Sequence, residues 1–291
     1  MKTNPPAKET WNLEVENNLK KRQKLSAFFS NDSNPSHIFL LSPSDWGVCR
    51  NGGRRGACYA PQAITHAFGS LAWNASDWSH PQPGFLLENV SSQKLEAENF
   101  QKAQARECQF IETQLKNSPQ VSKLVHLGGG HDHVFPLLKA HINQLPKGQG
   151  LGVINIDAHC DTRTDSLAHS GTPFRQTSEY FKAHKPTEDF HLIQIGVHPY
   201  SNPKENYELP AGHMTVLSGP NWKNGQKQDL EKILKNEQDK TWILSLDCDG
   251  LDASIMQAVS AVNHSGLDLR EMFDIIQCYK DNTAQQERQF F

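Results

Sequence analysis

The sequence has no apolar run of the roughly 20 residues that a membrane-spanning helix requires. Its first residues, MKTNPP, do not contain the apolar segment of a secretory signal peptide. These absences argue against an integral membrane protein and against export by that route. We therefore expect a cytoplasmic protein that does not associate with membranes.

A C-x-x-C pair is also missing, although the chain contains six cysteines. They are scattered at Cys49, Cys58, Cys108, Cys160, Cys248 and Cys278. In a chain of this size without an export signal, such cysteines are typical of reduced thiols, several of them buried. The pattern argues against a disulfide framework and a cysteine-based zinc site.

The sequence has no large excess of positive or negative charge. Its 29 Lys and Arg residues are interspersed with 32 Asp and Glu residues, and the net charge is −3. No basic field is present to attract nucleic acid or an anionic membrane, so a small molecule is the expected partner. No internal repeat or low-complexity linker divides the chain, which predicts one domain over residues 1–291.

Short apolar runs predict buried strands at 37–41, 123–127, 151–156, 191–197 and 241–246. Helical periodicity appears at 61–71, 93–115, 134–142, 229–235 and 269–279. Strands that alternate with helices predict a three-layer α/β/α fold with a mostly parallel central sheet. In such sheets the ligand site lies beyond the carboxyl ends of the strands, so residues that carry chemistry should follow these runs.

Histidine and aspartate residues do follow three of the predicted strands. The three clusters are Gly128-Gly129-Gly130-His131-Asp132-His133, Asp157-Ala158-His159-Cys160-Asp161 and Asp247-Cys248-Asp249-Gly250-Leu251-Asp252. Because alternate residues of an extended chain project to one side, Asp157, His159 and Asp161 can converge. Each cluster alone has a structural interpretation: a surface D-x-H, an Asp that caps a turn, or a glycine turn. The metal-site prediction depends on their conjunction.

So many carboxylates in one pocket would repel each other and be neutralised in part, unless cations compensate them. A pair of divalent ions would do so. Histidine and aspartate ligands without cysteine favour Mn²⁺ over Zn²⁺ or Fe²⁺.

At these clusters the sequence resembles the arginase–agmatinase–formimidoylglutamase family of ureohydrolases. The family's motifs Gly-Gly-x-His, Asp-Ala-His-x-Asp and Ser-x-Asp-x-Asp-x-x-Asp occur here in the same order, the third starting at Ser245. The resemblance implies an arginase-like fold and two Mn²⁺ ions per subunit. It assigns one ion to His131, Asp157, Asp161 and Asp247. It assigns the other ion to Asp157, His159, Asp247 and Asp249, and it gives Asp252 a structural role.

Two further stretches resemble the formimidoylglutamase branch. The first is the glycine- and arginine-rich segment 47–57, which also fits an ordinary strand-to-helix connection. The second is Ser170, which stands before Gly171 where arginases and agmatinases have a proton-transferring histidine. Arg163 and Arg175, together with Ser170, are the candidates for substrate binding, because a guanidinium can hold a carboxylate in a bidentate manner. Either arginine could equally be paired with a neighbouring acid at the surface.

The implied reaction is hydrolysis of the formimidoyl C–N bond of N-formimidoyl-L-glutamate to L-glutamate and formamide, a step of histidine breakdown. Asp161 or a water would carry the proton to the leaving nitrogen. One alternative is an arginase- or agmatinase-like hydrolase of a guanidino or amidino compound, and another is a non-catalytic metal-binding relative. The resemblance also leads us to expect a homo-oligomer. The family's last strand would begin at Phe290 and Phe291, where the sequence stops, so we expect a domain that lacks the family's last strand and helix.

Overall fold

Eight strands form one sheet in the part of the chain that the computed structural model describes, residues 24–29, 35–72, 85–89, 100–119, 121–217, 222–286 and 289–290. The strands are β1 His37–Ser42, β2 Phe85–Asn89, β3 Lys123–Gly128, β4 Gly150–Ile156, β5 Phe190–Ile195, β6 His213–Leu217, β7 Lys240–Leu246 and β8 Gln289–Phe290. Their order in the sheet is β2-β1-β3-β8-β7-β4-β5-β6, and the strands pair in parallel throughout.

The helices of the described residues lie between these strands. They are α1 Trp46–Arg50, α2 Ala60–Ser70, α3 Phe100–Asn117, α4 Val134–Ile142, α5 Pro173–His184, α6 Lys227–Asn236 and α7 Leu269–Asn282. Asp268 caps α7 with its side chain, which accepts a hydrogen bond from Glu271 N at 2.8 Å. No helix in the described part of the chain combines the length and apolar character needed to cross a membrane.

Alternate residues of β4 enter opposite cores, because side chains of a strand point to opposite faces of its sheet. Leu151 and Val153 pack in the core under α3, α4 and α5, whereas Ile154 and Ile156 pack in the core under α6 and α7. All seven residues of β4 are buried. Helices therefore cover both faces of this parallel sheet, which explains why its central strand β4 is apolar except for Asn155.

The register of the central strands determines where their ends meet. Ile156 at the end of β4 is paired with Leu246 of β7 and with Ile195 of β5. Asp247 N then donates to Ile156 O at 2.9 Å. The first residues after β4 and β7 consequently emerge side by side at the carboxyl edge of the sheet.

The five predicted strands and the three-layer class are confirmed, with strand ends within two residues of the predicted ones. Strand β5 stops at Ile195, before the predicted end at Val197, because Gly196 adopts a φ of +87° and turns the chain. The strand predicted at Phe290 is present and lies between β3 and β7. The predicted helix at 93–115 begins outside the described residues, and its described part is α3.

The hydrophobic pattern of the sequence did not predict helices α1 and α5 or strands β2 and β6. Strands β2 and β6 lie at the two edges of the sheet. The first residue of β6 is exposed and the next three are half-buried, so this strand lacks the continuous apolar pattern of a central strand. All six cysteines are free thiols, and Cys108, Cys160 and Cys278 are buried, as expected.

Candidate metal centre

Three loops at the carboxyl edge of the sheet carry the predicted ligands. A 3-10 turn, His131–His133, follows β3, and the segment 157–161 follows β4. Asp247 follows β7 and caps the next 3-10 turn, where its side chain accepts a hydrogen bond from Asp249 N at 3.1 Å. The loops that carry the predicted ligands thus have a defined backbone conformation.

The first group of donor atoms surrounds His131. Its Nδ1 lies 2.8 Å from Asp161 Oδ2, 3.1 Å from Asp157 Oδ2 and 3.3 Å from Asp247 Oδ2. Donor atoms of all four residues lie within 4.8 Å of one another. His131 Nε2 faces Ser245 Oγ at 2.9 Å, and this contact fixes the imidazole ring.

The second group contains His159, Asp157 and Asp249. His159 Nδ1 lies 3.2 Å from Asp249 Oδ2 and 3.5 Å from Asp157 Oδ1. The two oxygens of Asp157 therefore face different groups, Oδ2 the first and Oδ1 the second, as a bridging carboxylate would. Asp247 lies with the first group, and its predicted share in the second stays a prediction.

The electrostatics of these residues provide a test of whether cations fit. Burial raises the pKa of Asp249 to about 8 and that of Asp161 to about 6, and the charges of neighbouring aspartates add to both effects. Burial and the charge of Asp157 raise the pKa of Asp247 as well. Hydrogen bonds with Asp157 and Asp249 raise the pKa of His159 to about 11. The cluster thus holds more carboxylate charge than its two imidazoles compensate.

Asp249 adds a second observation. Its Oδ1 is buried and has no hydrogen-bond partner among the described residues. A buried carboxylate oxygen without a partner is costly, and a metal ion would satisfy it. Four aspartates and two histidines, with one carboxylate between two donor groups, fit a pair of hard or borderline divalent cations.

Asp161 has a strained backbone. Its φ is 51°, and it is the one non-glycine residue with a positive φ in the described part of the chain. Its carbonyl accepts a hydrogen bond from Phe174 N, the second residue of α5, at 3.1 Å. The Phe174 ring packs edge-on against His131 with centroids 5.4 Å apart. Helix α5 therefore holds two ligands in place, and strain of this kind is typical of functional sites.

Two buried amides beneath the site were not among the predicted residues. Asn155 Nδ2 donates to Asp157 Oδ2 at 3.2 Å and to Gln194 Oε1 at 2.9 Å. Gln194 Nε2 in turn donates to Cys160 O at 2.7 Å. In β4, Asn155 is the one polar side chain of an apolar strand, and that interruption is a signal for it. Strand β5 also contains His191, so Gln194 has no such signal.

A charged network behind His131 was missed too. Glu107 on α3 accepts from His133 Nδ1, with distances of 3.0 and 2.9 Å to its two carboxylate oxygens, and from Ser42 Oγ at 2.5 Å. His133 Nε2 donates to Ser44 O at 2.9 Å. Although burial opposes it, the Glu107 charge raises the pKa of His133 to about 10, so the pair is ionic. The sequence provides no local signal for Glu107, which lies far from the motifs.

The three predicted substrate-binding residues lie in different surroundings. Arg163 Nη1 donates to Asn51 Oδ1 at 2.9 Å, and Asn51 Nδ2 donates to Ser170 Oγ at 3.1 Å. Arg163 also passes over Gly171, where an added Cβ would lie 3.2 Å from its Cδ. Arg175 instead pairs with Glu179 on α5 at 3.1 Å, which is the surface role considered as its alternative. Asn51 thus joins Arg163 and Ser170. It lies in the glycine- and arginine-rich segment 47–57, although no role of its own was predicted for it.

Comparison with known proteins adds to this geometry. The model of the arginase family matches residues 37–286. The chain belongs to the arginase family. Formimidoylglutamase from Hahella chejuensis is 33% identical over 258 residues, covering 84% of this chain and 75% of the relative. Formimidoylglutamase from Photorhabdus laumondii is 31% identical over 262 residues, covering 87% and 77%.

Solved structures agree with the family membership. The crystal structure of Trypanosoma cruzi formiminoglutamase with two Mn²⁺ ions has a TM-score of 0.73 to this chain at 25% identity, covering 93% of this chain and 89% of that one. The crystal structure of a hypothetical agmatinase from Burkholderia thailandensis, at 22% identity and a TM-score of 0.66, shares the fold, and the match covers 86% of this chain and 75% of that one. The arginase-family fold expected from the motifs is confirmed.

Proposed function

We propose that this arginase-family chain hydrolyses N-formimidoyl-L-glutamate to L-glutamate and formamide with two Mn²⁺ ions per subunit. The observation that carries the proposal is the pair of donor groups that share Asp157, since each oxygen of this carboxylate faces a different group. Relatives named formimidoylglutamase at 31–33% identity support the substrate, as does Ser170 in place of a histidine.

In this proposal His131, Asp157, Asp161 and Asp247 hold one ion, and Asp157, His159, Asp247 and Asp249 hold the other. Bound ions of this kind would lower the pKa of a shared water towards neutrality and polarise the substrate. Asp161 is the proposed proton carrier, with a water as the alternative. Its carboxylate is half-buried at the edge of the site, where it can both face His131 and reach a bound molecule.

Arg163 and Ser170 are the proposed contacts for the glutamate end, together with Arg175, whose ion pair with Glu179 would first have to open. Asn51 orients the Arg163 guanidinium, and a rigid guanidinium suits a carboxylate. The same positive charge would repel the guanidinium of arginine or agmatine. This argument favours formimidoylglutamate over the substrates of an arginase or agmatinase.

The test is Mn²⁺-dependent release of L-glutamate from N-formimidoyl-L-glutamate, with arginine and agmatine assayed in parallel. Asp247→Ala should lower kcat/KM by about a thousandfold or more, because a lost ligand removes several kcal/mol of charge stabilisation. Asp252→Ala, in the same motif but outside both donor groups, is the matched control and should keep its metal and most of its activity.

Other outcomes would point to the alternatives. Turnover of agmatine or arginine in preference to formimidoylglutamate would replace the proposed substrate. A folded protein that holds two ions and hydrolyses none of the three compounds would indicate a non-catalytic relative. The cytoplasmic location, the homo-oligomer, the absence of nucleic-acid binding and the single domain over 1–291 stay predictions, which fractionation, light scattering, gel shift and limited proteolysis would check.

A further inference from the structure

A cleft of about 210 Å³ opens beside His159 at the carboxyl edge of the sheet. Two loops line it together with Ala158 and His159: one carries His198 and Ser201, and the other is the segment 261–265. Besides small apolar side chains, the described lining presents the imidazoles of His159, His198 and His264 and the hydroxyls of Ser201 and Ser265, and it contains neither a carboxylate nor a lysine. Groups of this kind can donate hydrogen bonds, so the cleft is suited to an anionic ligand.

The first loop is held rigidly against the loop after β4. His198 N donates to Ala158 O at 2.9 Å. The buried Asn202 side chain donates to Ala158 O at 3.0 Å and to His198 O at 2.9 Å, and it accepts from Cys160 N at 2.8 Å. His198 therefore projects from a backbone that is attached on both sides to the segment carrying Asp157, His159 and Asp161.

The second loop is held in the same way by another buried asparagine. Asn263 Nδ2 donates to Asp249 O at 2.9 Å, and its Oδ1 accepts from Ser265 N at 3.0 Å. Its carbonyl accepts from Ala253 N at 2.6 Å. His264, which follows it, is exposed at the cleft. Two asparagines thus fix the two walls of the cleft to the two loops that supply His159 and Asp249.

From this geometry we propose that the cleft binds one of the two carboxylates of the substrate's glutamate end, with Arg163 and Ser170 left to the other, and that His198 and His264 determine specificity for an acidic substrate. The proposal rests on the proposed function. A formimidoyl group beside His159 would leave the remainder of the molecule to extend from the donor groups into the adjoining space. The cleft adjoins His159 directly, and its walls are already ordered, so little entropy is lost when a ligand binds.

Asp252 is the acid whose charge reaches His264. Its Oδ1 accepts hydrogen bonds from Ser254 N at 2.9 Å and from Ser254 Oγ at 2.6 Å. These bonds already engage that oxygen, and Asp252 is not part of the cleft lining. The imidazole of His264 thus faces the cleft beside one acid, whose Oδ1 is engaged by Ser254, and a carboxylate of the substrate would approach it from the side of the cleft.

The decisive experiment compares substrates that differ in their carboxylates. Wild type, His198→Ala, His264→Ala and their glutamine variants are assayed with N-formimidoyl-L-glutamate, N-formimidoylglycine and formamidine, at saturating Mn²⁺. Each alanine variant should raise KM for the glutamate compound by about tenfold or more, because a hydrogen bond to a charged group is lost. With formamidine, which has no carboxylate, kcat/KM should stay at the wild-type value, and the glutamine variants should recover part of the loss.

A second measurement does not depend on turnover. L-glutamate binding to the Mn²⁺-loaded protein is followed by calorimetry, and both alanine variants should bind it about tenfold more weakly. His66→Ala, an exposed histidine on α2, is the matched control and should behave as wild type.

Two results would overturn the inference: an unchanged KM for N-formimidoyl-L-glutamate in both variants, or an equal loss of activity with formamidine. If wild type does not hydrolyse formimidoylglutamate, the proposed function fails, but the calorimetry still decides the cleft. In that case, weaker glutamate binding by the variants would support the cleft, and no glutamate binding by wild type would refute it.

Discussion

At the scale of single residues, Asp157 differs from the other candidate ligands because its two oxygens face different donor groups. Asp249 contributes to one group only, and Asp252 lies in neither. We expect Asp249→Asn to retain about one Mn²⁺ per chain and Asp157→Asn to retain less than one, because replacing a shared ligand weakens both groups. Metal analysis after gel filtration measures this, with Asp252→Asn as the control that should hold about two.

Equal metal content in Asp157→Asn and Asp249→Asn would contradict the bridging role of Asp157.

The residues of the metal centre also show what the sequence could and could not predict about the site. The motif predicted that Asp157, His159 and Asp161 contribute to one site, but not through the expected alternation of an extended chain. The segment bends, with His159 N donating to Asp157 Oδ1 at 2.7 Å and Asp161 at a φ of 51°, and it places His159 in one donor group and Asp161 in the other. The sequence could not predict the roles of Asn155 and Gln194, because these depend on contacts between neighbouring strands.

At the scale of secondary-structure elements, an ionic contact between Glu107 on α3 and His133 holds the turn that carries His131. We expect Glu107→Gln to destabilise the protein by about 3–5 kcal/mol, because it leaves a buried imidazolium without its counter-charge. Urea unfolding measures the change. Glu112→Gln, one turn further along α3 and hydrogen-bonded to Asn143, is the control and should change stability by about 0.5 kcal/mol or less.

The double variant Glu107→Gln with His133→Gln separates charge from packing. It should recover part of the stability lost in Glu107→Gln, since the unpaired charge is removed as well. A double variant that loses the sum of the two single effects would show that the contact is not ionic.

The same scale explains which elements the sequence predicted. The central parts of β4 and β7 are covered on both faces, so burial made them mostly apolar, with Asn155 and Ser245 as polar exceptions near the site. The edge strand β6 is only partly buried, so it lacks a strong apolar pattern. Helix α5 begins at Pro173, directly after a loop of the site, and the residues of that loop show no hydrophobic periodicity that would indicate where the helix starts. Neither had a pattern of its own strong enough to detect. The pairing of the short strand β8 between β3 and β7 is a long-range contact that local sequence does not encode.

At the scale of the whole molecule, the two edges of the sheet balance their charges differently. At the amino edge, Lys240 Nζ lies 3.1 Å from Glu237 Oε2 and 3.0 Å from Asp189 Oδ2. At the carboxyl edge, no lysine or arginine of the described residues forms an ion pair with the four clustered aspartates, whose ion-pair partners are the histidines His131 and His159. His191, His213 and Glu237 also lie close enough to hold an ion, but there Lys240 already supplies the positive charge. The demand for cations is therefore confined to the edge that carries the cleft.

This compensation at the amino edge has a consequence for pH dependence. Burial, together with the charges of His213 and Lys240, lowers the pKa of His191, although Glu237 lies 2.8 Å from its Nδ1. The folded chain thus keeps His191 neutral where the unfolded chain, with an ordinary pKa of about 6.5, binds a proton. Stability from this residue is complete above that value and is lost as the pH falls from it towards the lowered pKa of the folded state.

We therefore expect wild type to lose more stability than His191→Gln when the pH falls from 7 to 5. Glutamine cannot take up a proton, so the variant lacks this one contribution. Urea unfolding of both proteins at the two pH values measures the effect. Taking the difference between them cancels the titration of the metal centre, which both proteins share. Equal losses in the two proteins would show that the pKa of His191 is the same in the folded and unfolded chains, so that Glu237 offsets the effects of burial, His213 and Lys240.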